Sequence, residues 1–164
     1  MFELFDRSLQ RLTCGLVVAL GVAMTASVLL GVFFRYVLND SLSWSEELAR
    51  YCLIWMSWFG ASLALRRGGH IAVEFAIDAL PPKARKAAVL GGELLTLFFL
   101  LVVLWYGIKA TGNVSRQSTI ALGISMAGPY ASVPVGAALL IYNLLVIMIS
   151  SKARLEKGAV DVQT

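Results

Sequence analysis

Charge is scarce in this sequence. Asp, Glu, Lys and Arg make up 15% of its 164 residues, where a soluble domain carries about 25%. Histidine is scarcer still: His70 stands alone, so one chain cannot supply the two axial histidines of a membrane haem. The two cysteines, Cys14 and Cys52, lie far apart in apolar runs and form no CxxC pair or metal-ligand spacing. They read as small apolar side chains. Neither a phosphate-binding loop nor a nucleophile–base motif is present. The residues therefore point away from an enzyme and require neither cofactor nor metal. The net charge of +4 does not indicate nucleic acid, because the basic residues sit in short clusters beside apolar runs, as membrane orientation demands.

What the chain has in quantity is apolar sequence: 59% of its residues are hydrophobic and the mean hydropathy is +0.78. The apolar residues gather into four runs, about 14–34, 43–65, 87–108 and 129–150, each close to the roughly 20 residues that cross a bilayer as a helix. The first run is too long for the core of a cleaved signal peptide. It is followed by Arg35, Tyr36 and Asn39 rather than a small-residue cleavage site. The fold expected is an all-α membrane protein with four transmembrane helices in a single domain, 1–158, and a short cytoplasmic tail, 159–164. Residues 71–80 place Ile71, Phe75 and Ala79 on one helical stripe and Glu74 and Asp78 on another, before Pro81-Pro82. This reads as a short amphipathic helix on the membrane surface between helices two and three.

Orientation follows from the basic residues. Arg7, Arg11, Arg66, Arg67, Lys83, Arg85, Lys86, Lys152, Arg154 and Lys157 fall on one side of such a topology, and Arg35, Arg50, Lys109 and Arg116 on the other. The positive-inside rule then puts both termini in the cytoplasm and the 109–128 loop outside.

The start of helix two carries the densest information. Between Arg50 and Arg66 the uncharged stretch is too short to cross the hydrocarbon, about 22 Å against about 30 Å. Arg50 therefore lies at or below the outer interface, together with Glu46 and Glu47. Ser43 and Glu46 have the spacing of a capping box. Arg50 is three and four residues from the two acids and is expected to contact one of them. Arg35 enters the same region, and Trp44 flanks it. Two readings stay open: a salt-bridge cluster that joins helices one and two, and a docking surface for another protein, since charge at membrane depth faces protein or water.

Small residues recur at every fourth position of helix one: Gly15, Ala19, Ala23, Ser27 and Gly31. Helix two adds Ser57, Gly60, Ala61 and Ala64. Such rows let helices approach closely in lipid, either within a four-helix bundle or against a different polypeptide. Trp44, Trp55, Trp58 and Trp105 read as interface anchors and lipid-facing bulk. Glu93 is the one acid well inside a span. It has no second acid or Asn cluster beside it, so a partner contact or a bend to the interface is a better reading than ion coupling.

Residues 33–74 hold a longer pattern: Arg35, Tyr36, Asn39, Ser41, Leu42, Trp44, Glu46, Glu47 and Arg50, then Trp55, Gly60, Ala61 and Arg66, then His70, Ile71, Val73 and Glu74. This resembles the small permease subunit of tripartite ATP-independent periplasmic (TRAP) transporters, the DctQ-like family. The last acid is often Asp in that family, so Glu74 is a mild departure. The resemblance implies a bacterial inner-membrane subunit that works with a large permease subunit and a periplasmic binding protein. It implies sodium-coupled import of an organic acid, with the substrate and sodium sites in the large subunit and the small one a scaffold. Membrane lipid is the remaining partner. Two rival readings demand other residues. A self-sufficient homodimeric exporter needs an ionisable group near mid-membrane, and Glu93 is off-centre. A membrane redox enzyme needs paired histidines or paired outer cysteines.

Overall fold

The computed structural model describes residues 2–66 and 81–160. Its elements are α1 (Phe2–Val37), α2 (Ser43–Arg66), α3 (Pro82–Val114), a single turn α4 (Ala127–Tyr130) and α5 (Ser132–Val160). Among the described residues, four helices are long and apolar enough to cross a membrane: Asp6–Val37, Ser43–Arg66, Ala87–Val114 and Ala127–Ile149. The four runs read from the sequence are these spans. The surface helix expected over 71–80, and His70, lie outside the described residues.

Local chemistry sets the element ends. Helix α1 meets no proline and stops where Asn39 takes up φ of 51°, a left-handed conformation that Asn tolerates better than other side chains. The amides of Leu38 and Asp40 both return to the Phe34 carbonyl there. Helix α2 starts at Ser43, but not through a capping box. The Ser45 amide and hydroxyl both donate to the Leu42 carbonyl, at 3.2 and 2.8 Å, while Glu46 turns to a different partner. Helix α3 has Pro81 as its N-cap and starts on Pro82, the first helical position, at which a missing N–H costs nothing. It then runs unbroken through Gly91, Gly92, Gly107 and Gly112 and ends later than its apolar run does. The fourth span is divided: Pro129 lies in α4, and Pro134 in the first turn of α5. The buried Ser132 hydroxyl donates to the Pro129 carbonyl across the junction at 2.7 Å.

The spans pack as an open row. Helix α1 lies against α2, α2 against α5 and α5 against α3; the backbones of α1 and α3 do not meet. In α1 and α3, 6% of the most apolar stretch is buried, against 22% in α2 and 28% in α5. The outer two helices are thus edges, and much of their surface faces whatever surrounds the chain. Glycines set the closest approaches. A Cβ at Gly31 would stand 2.5 Å from Ser45 Oγ, and one at Gly136 2.5 Å from Trp58 Cβ. At Gly107 it would be 3.1 Å from Val133 Cγ1 and 3.2 Å from the Pro134 ring. One such contact marks each seam of the row, as expected where close packing rather than apolar burial drives association in lipid. Hydroxyls along the spans find their partners within their own helix. Thr13, Thr25, Ser57, Thr96 and Thr111 each donate to the carbonyl four residues before, at 2.8–2.9 Å, which satisfies them without water.

The small-residue row of α1 divides. Ser27 is buried and Gly31 half-buried on the α2 seam, whereas Gly15, Ala19 and Ala23 are exposed. Four steps of four residues rotate by about 160° round a helix of 3.6 residues per turn, so the row starts on the open face and finishes on the packed one. On α2, Gly60 is half-buried, and Ser57, Ala61 and Ala64 are exposed. Trp58 is a packing residue beneath Gly136 rather than lipid-facing bulk.

Candidate functional site

Polar side chains collect at the two ends of the row. At the end where α2 begins, Arg35 from the last turn of α1 reaches Glu46 from the first turn of α2, Nη1 to Oε1 3.6 Å, with both side chains largely exposed. Beneath them a cavity of about 170 Å³ is lined by Val28, Gly31, Val32, Tyr36, Ser41, Leu42 and Ser45 together with that pair. Glu47, one residue on and 100° round the helix, faces elsewhere. Its Oε1 accepts from the Tyr51 hydroxyl. Its Oε2 accepts from the backbone amides of Ala121 and Leu122, at 2.8 and 3.0 Å. The expected contact of Arg50 with Glu46 or Glu47 is not formed. Both carboxylates are engaged, one by the arginine across the turn and one by loop amides. Arg50 is exposed and in no salt bridge among the described residues. Trp44 is half-buried beside this cluster.

The segment held by Glu47 is a tight hairpin. Ser118 and Ser125 face each other as an antiparallel bridge. The Thr119 amide donates to the Ile124 carbonyl at 2.8 Å, and the Met126 amide to the Gln117 carbonyl at 2.9 Å. The Ile124 amide meets the buried Thr119 hydroxyl, and Gly123, with φ of 66°, closes the turn in a conformation glycine takes without strain.

The opposite end holds the most buried polar cluster among the described residues. Arg66, in the last turn of α2, forms a salt bridge with Asp6 of α1 and donates to Asn143 Oδ1 of α5 at 3.0 Å. Gln10 donates to the same oxygen at 2.9 Å. The Asn143 amide group donates to the Ser62 hydroxyl at 2.7 Å and to the Ser62 carbonyl at 3.2 Å. The Tyr142 hydroxyl donates to Asp6 at 3.2 Å. Three helices are thereby tied through a carboxamide that is 2% exposed. Sequence reasoning singled out Arg66 alone from this group. The available signal was Asn143, the lone carboxamide in the 129–150 run, since such a group in lipid must find partners. Glu93 stands apart from both clusters, half-buried on the edge helix α3, and forms no salt bridge among the described residues. Trp105 on the same helix is exposed, with the Lys109 ammonium 5.2 Å from its ring.

These arrangements hold the fold: hydrogen bonds fix three helices at one end, and a carboxylate fixes a loop at the other. The fold and its polar clusters define a multi-pass helical membrane protein. Residues 24–154 match the family of tripartite ATP-independent periplasmic transporters, DctQ component, and the chain belongs to that family of transporter components. Among its relatives, the sialic acid TRAP transporter small permease protein SiaQ of Vibrio cholerae is 33% identical over 78% of this chain and 74% of its own. The ectoine TRAP transporter small permease protein TeaB of Halomonas elongata is 29% identical over 74% of this chain and 64% of its own. The sialic acid TRAP transporter permease protein SiaT of Haemophilus influenzae is 27% identical over 76% of this chain, a stretch that amounts to 20% of that longer protein.

Proposed function

We propose that this chain is the small membrane subunit that braces the large permease subunit of a TRAP transporter in the bacterial inner membrane. The complex imports an organic acid with a sodium gradient, and a periplasmic binding protein delivers the substrate. The observation that carries the reading is the open row. Two of its four spans are edges with little of their surface packed inside the chain, and the buried network around Asn143 ties α1, α2 and α5 together. A scaffold for a second polypeptide needs such a shape; a self-contained carrier needs an internal path and ionisable groups along it. The likeness to a stretch of the much longer SiaT permease supports a large permease as the partner. The substrates in the relatives' names, sialic acid and ectoine, are different molecules, and the small subunit holds the substrate site of neither in this reading.

The test is reconstitution in liposomes with an inward sodium gradient. Large subunit, small subunit and binding protein together accumulate the substrate. The small subunit alone moves nothing and gives no heat of substrate binding. Sodium-driven uptake by this chain alone overturns the scaffold reading and restores the exporter.

A further inference from the structure

The 119–124 hairpin combines three features that a water-exposed connection does not need. First, its tip is apolar, and Ile120 is 97% exposed, with Ile124 exposed and Leu122 half-buried beside it; the polar residues, Arg116 among them, lie at its base. Second, five of the six amides of 119–124 have partners: those of Thr119, Gly123 and Ile124 bond inside the turn, and those of Ala121 and Leu122 bond to Glu47. Unsatisfied amides are costly only where water is scarce. Third, Glu47 fixes the depth of the tip. Counted along α2 from Arg66 at the opposite boundary, Arg50 is about 24 Å up and Glu47 about 28 Å, against about 30 Å of hydrocarbon. Glu47 therefore stands at the hydrocarbon boundary. Ala121 and Leu122, bonded to its carboxylate, share that level, and Ile120 adjoins them.

From this we infer that the hairpin is an interfacial wedge. Glu47 holds its tip down so that Ile120 enters the boundary between headgroups and acyl chains of the leaflet on that side, anchoring the row to lipid at the start of α2 and the end of α3. A binding protein in the aqueous phase would meet the polar base of the hairpin, not its tip. The inference concerns the chain in a bilayer and stands whether or not the transporter reading does.

The test uses spin labels on Ile120→Cys and, as the reference, on Arg116→Cys, with Cys14 and Cys52 replaced by alanine. The chain is placed in vesicles of phosphatidylcholine and phosphatidylglycerol, and collision with oxygen and with a water-soluble nickel chelate is read by power saturation. The label at 120 collides with oxygen more than that at 116, and several-fold less with nickel. Adding Glu47→Ala raises nickel access at 120 toward the value at 116. Equal nickel access at 120 and 116 in the parent overturns the proposal. So does loss of both oxygen and nickel access at 120 in the complex with the large permease, which would mark the tip as a protein contact.

Discussion

At the scale of single residues, neighbouring charged groups on one helix turn have unlike tasks. Glu47 accepts three hydrogen bonds, two from loop amides, while Arg50 is exposed and outside any salt bridge among the described residues. Arg50→Ala should then change the thermal stability of the isolated chain in detergent by less than about 0.5 kcal/mol, as at ordinary surface positions; a loss of complex yield without a loss of stability would place its role in a partner contact. The cluster at the other end behaves oppositely. Asp6→Asn keeps the shape but strips the charge that faces Arg66, and both side chains are mostly buried. The expected cost is about 1–3 kcal/mol, below that of a fully buried pair. In a double-mutant cycle, the exchange of Asp6→Arg with Arg66→Asp should be less harmful than the two single changes summed. Additive costs would show that the two groups do not interact. Asn143→Leu removes four hydrogen bonds at about 0.6 kcal/mol each in membranes. It should lower stability by about 2 kcal/mol, measured by thermal unfolding of the purified chain.

Among elements, the seams of the row decide which substitutions test the fold and which test its surroundings. A side chain at Gly31 or Gly136 collides with Ser45 or Trp58. Gly31→Leu and Gly136→Leu should therefore destabilise the chain itself, by at least the 1–3 kcal/mol typical of overpacking. Ala23→Leu adds bulk to the open face of α1 and should leave thermal unfolding unchanged, while reducing co-purification with the large permease if that face meets it. A fall in stability for Ala23→Leu would show that the face is packed within the chain. These distinctions explain what could be read in the sequence. The spans were legible because length and hydropathy are properties of a run, and the Asn39 turn lay at the boundary they set. The packed side of α1 was not legible from the row of small residues, because a four-residue step drifts round the helix. Gly107 and Gly136 matter for what lies opposite them, Val133 with Pro134 and Trp58, and that depends on which helices are neighbours. The partner of Glu47 was hidden for a similar reason: it is a pair of backbone amides more than 70 residues away, and backbone groups leave no mark in sequence.

For the molecule as a whole, an open row is stable in lipid for a reason that would fail in water. Apolar edges gain nothing from hiding where the solvent is itself apolar, so α1 and α3 can stay uncovered while seams and hydrogen bonds keep the row intact. The same solvent leaves orientation to charge. The end bearing the Asp6–Arg66–Asn143 cluster is also the end toward which Arg7, Arg11 and Lys83 fall in the chain, with Lys152, Arg154 and Lys157 following the last span; the hairpin end carries Arg35, Arg50, Lys109 and Arg116. Because short loops rich in Lys and Arg stay in the cytoplasm, the cluster end should be cytoplasmic and the hairpin end periplasmic. Cysteines introduced as Lys157→Cys and Ser115→Cys, in a background lacking Cys14 and Cys52, separate the two orientations. In intact spheroplasts, a membrane-impermeant maleimide should label position 115 and should reach position 157 only after the membrane is opened. Labelling of position 157 in intact spheroplasts would invert the molecule, and with it the leaflet in which the Glu47-held hairpin lies.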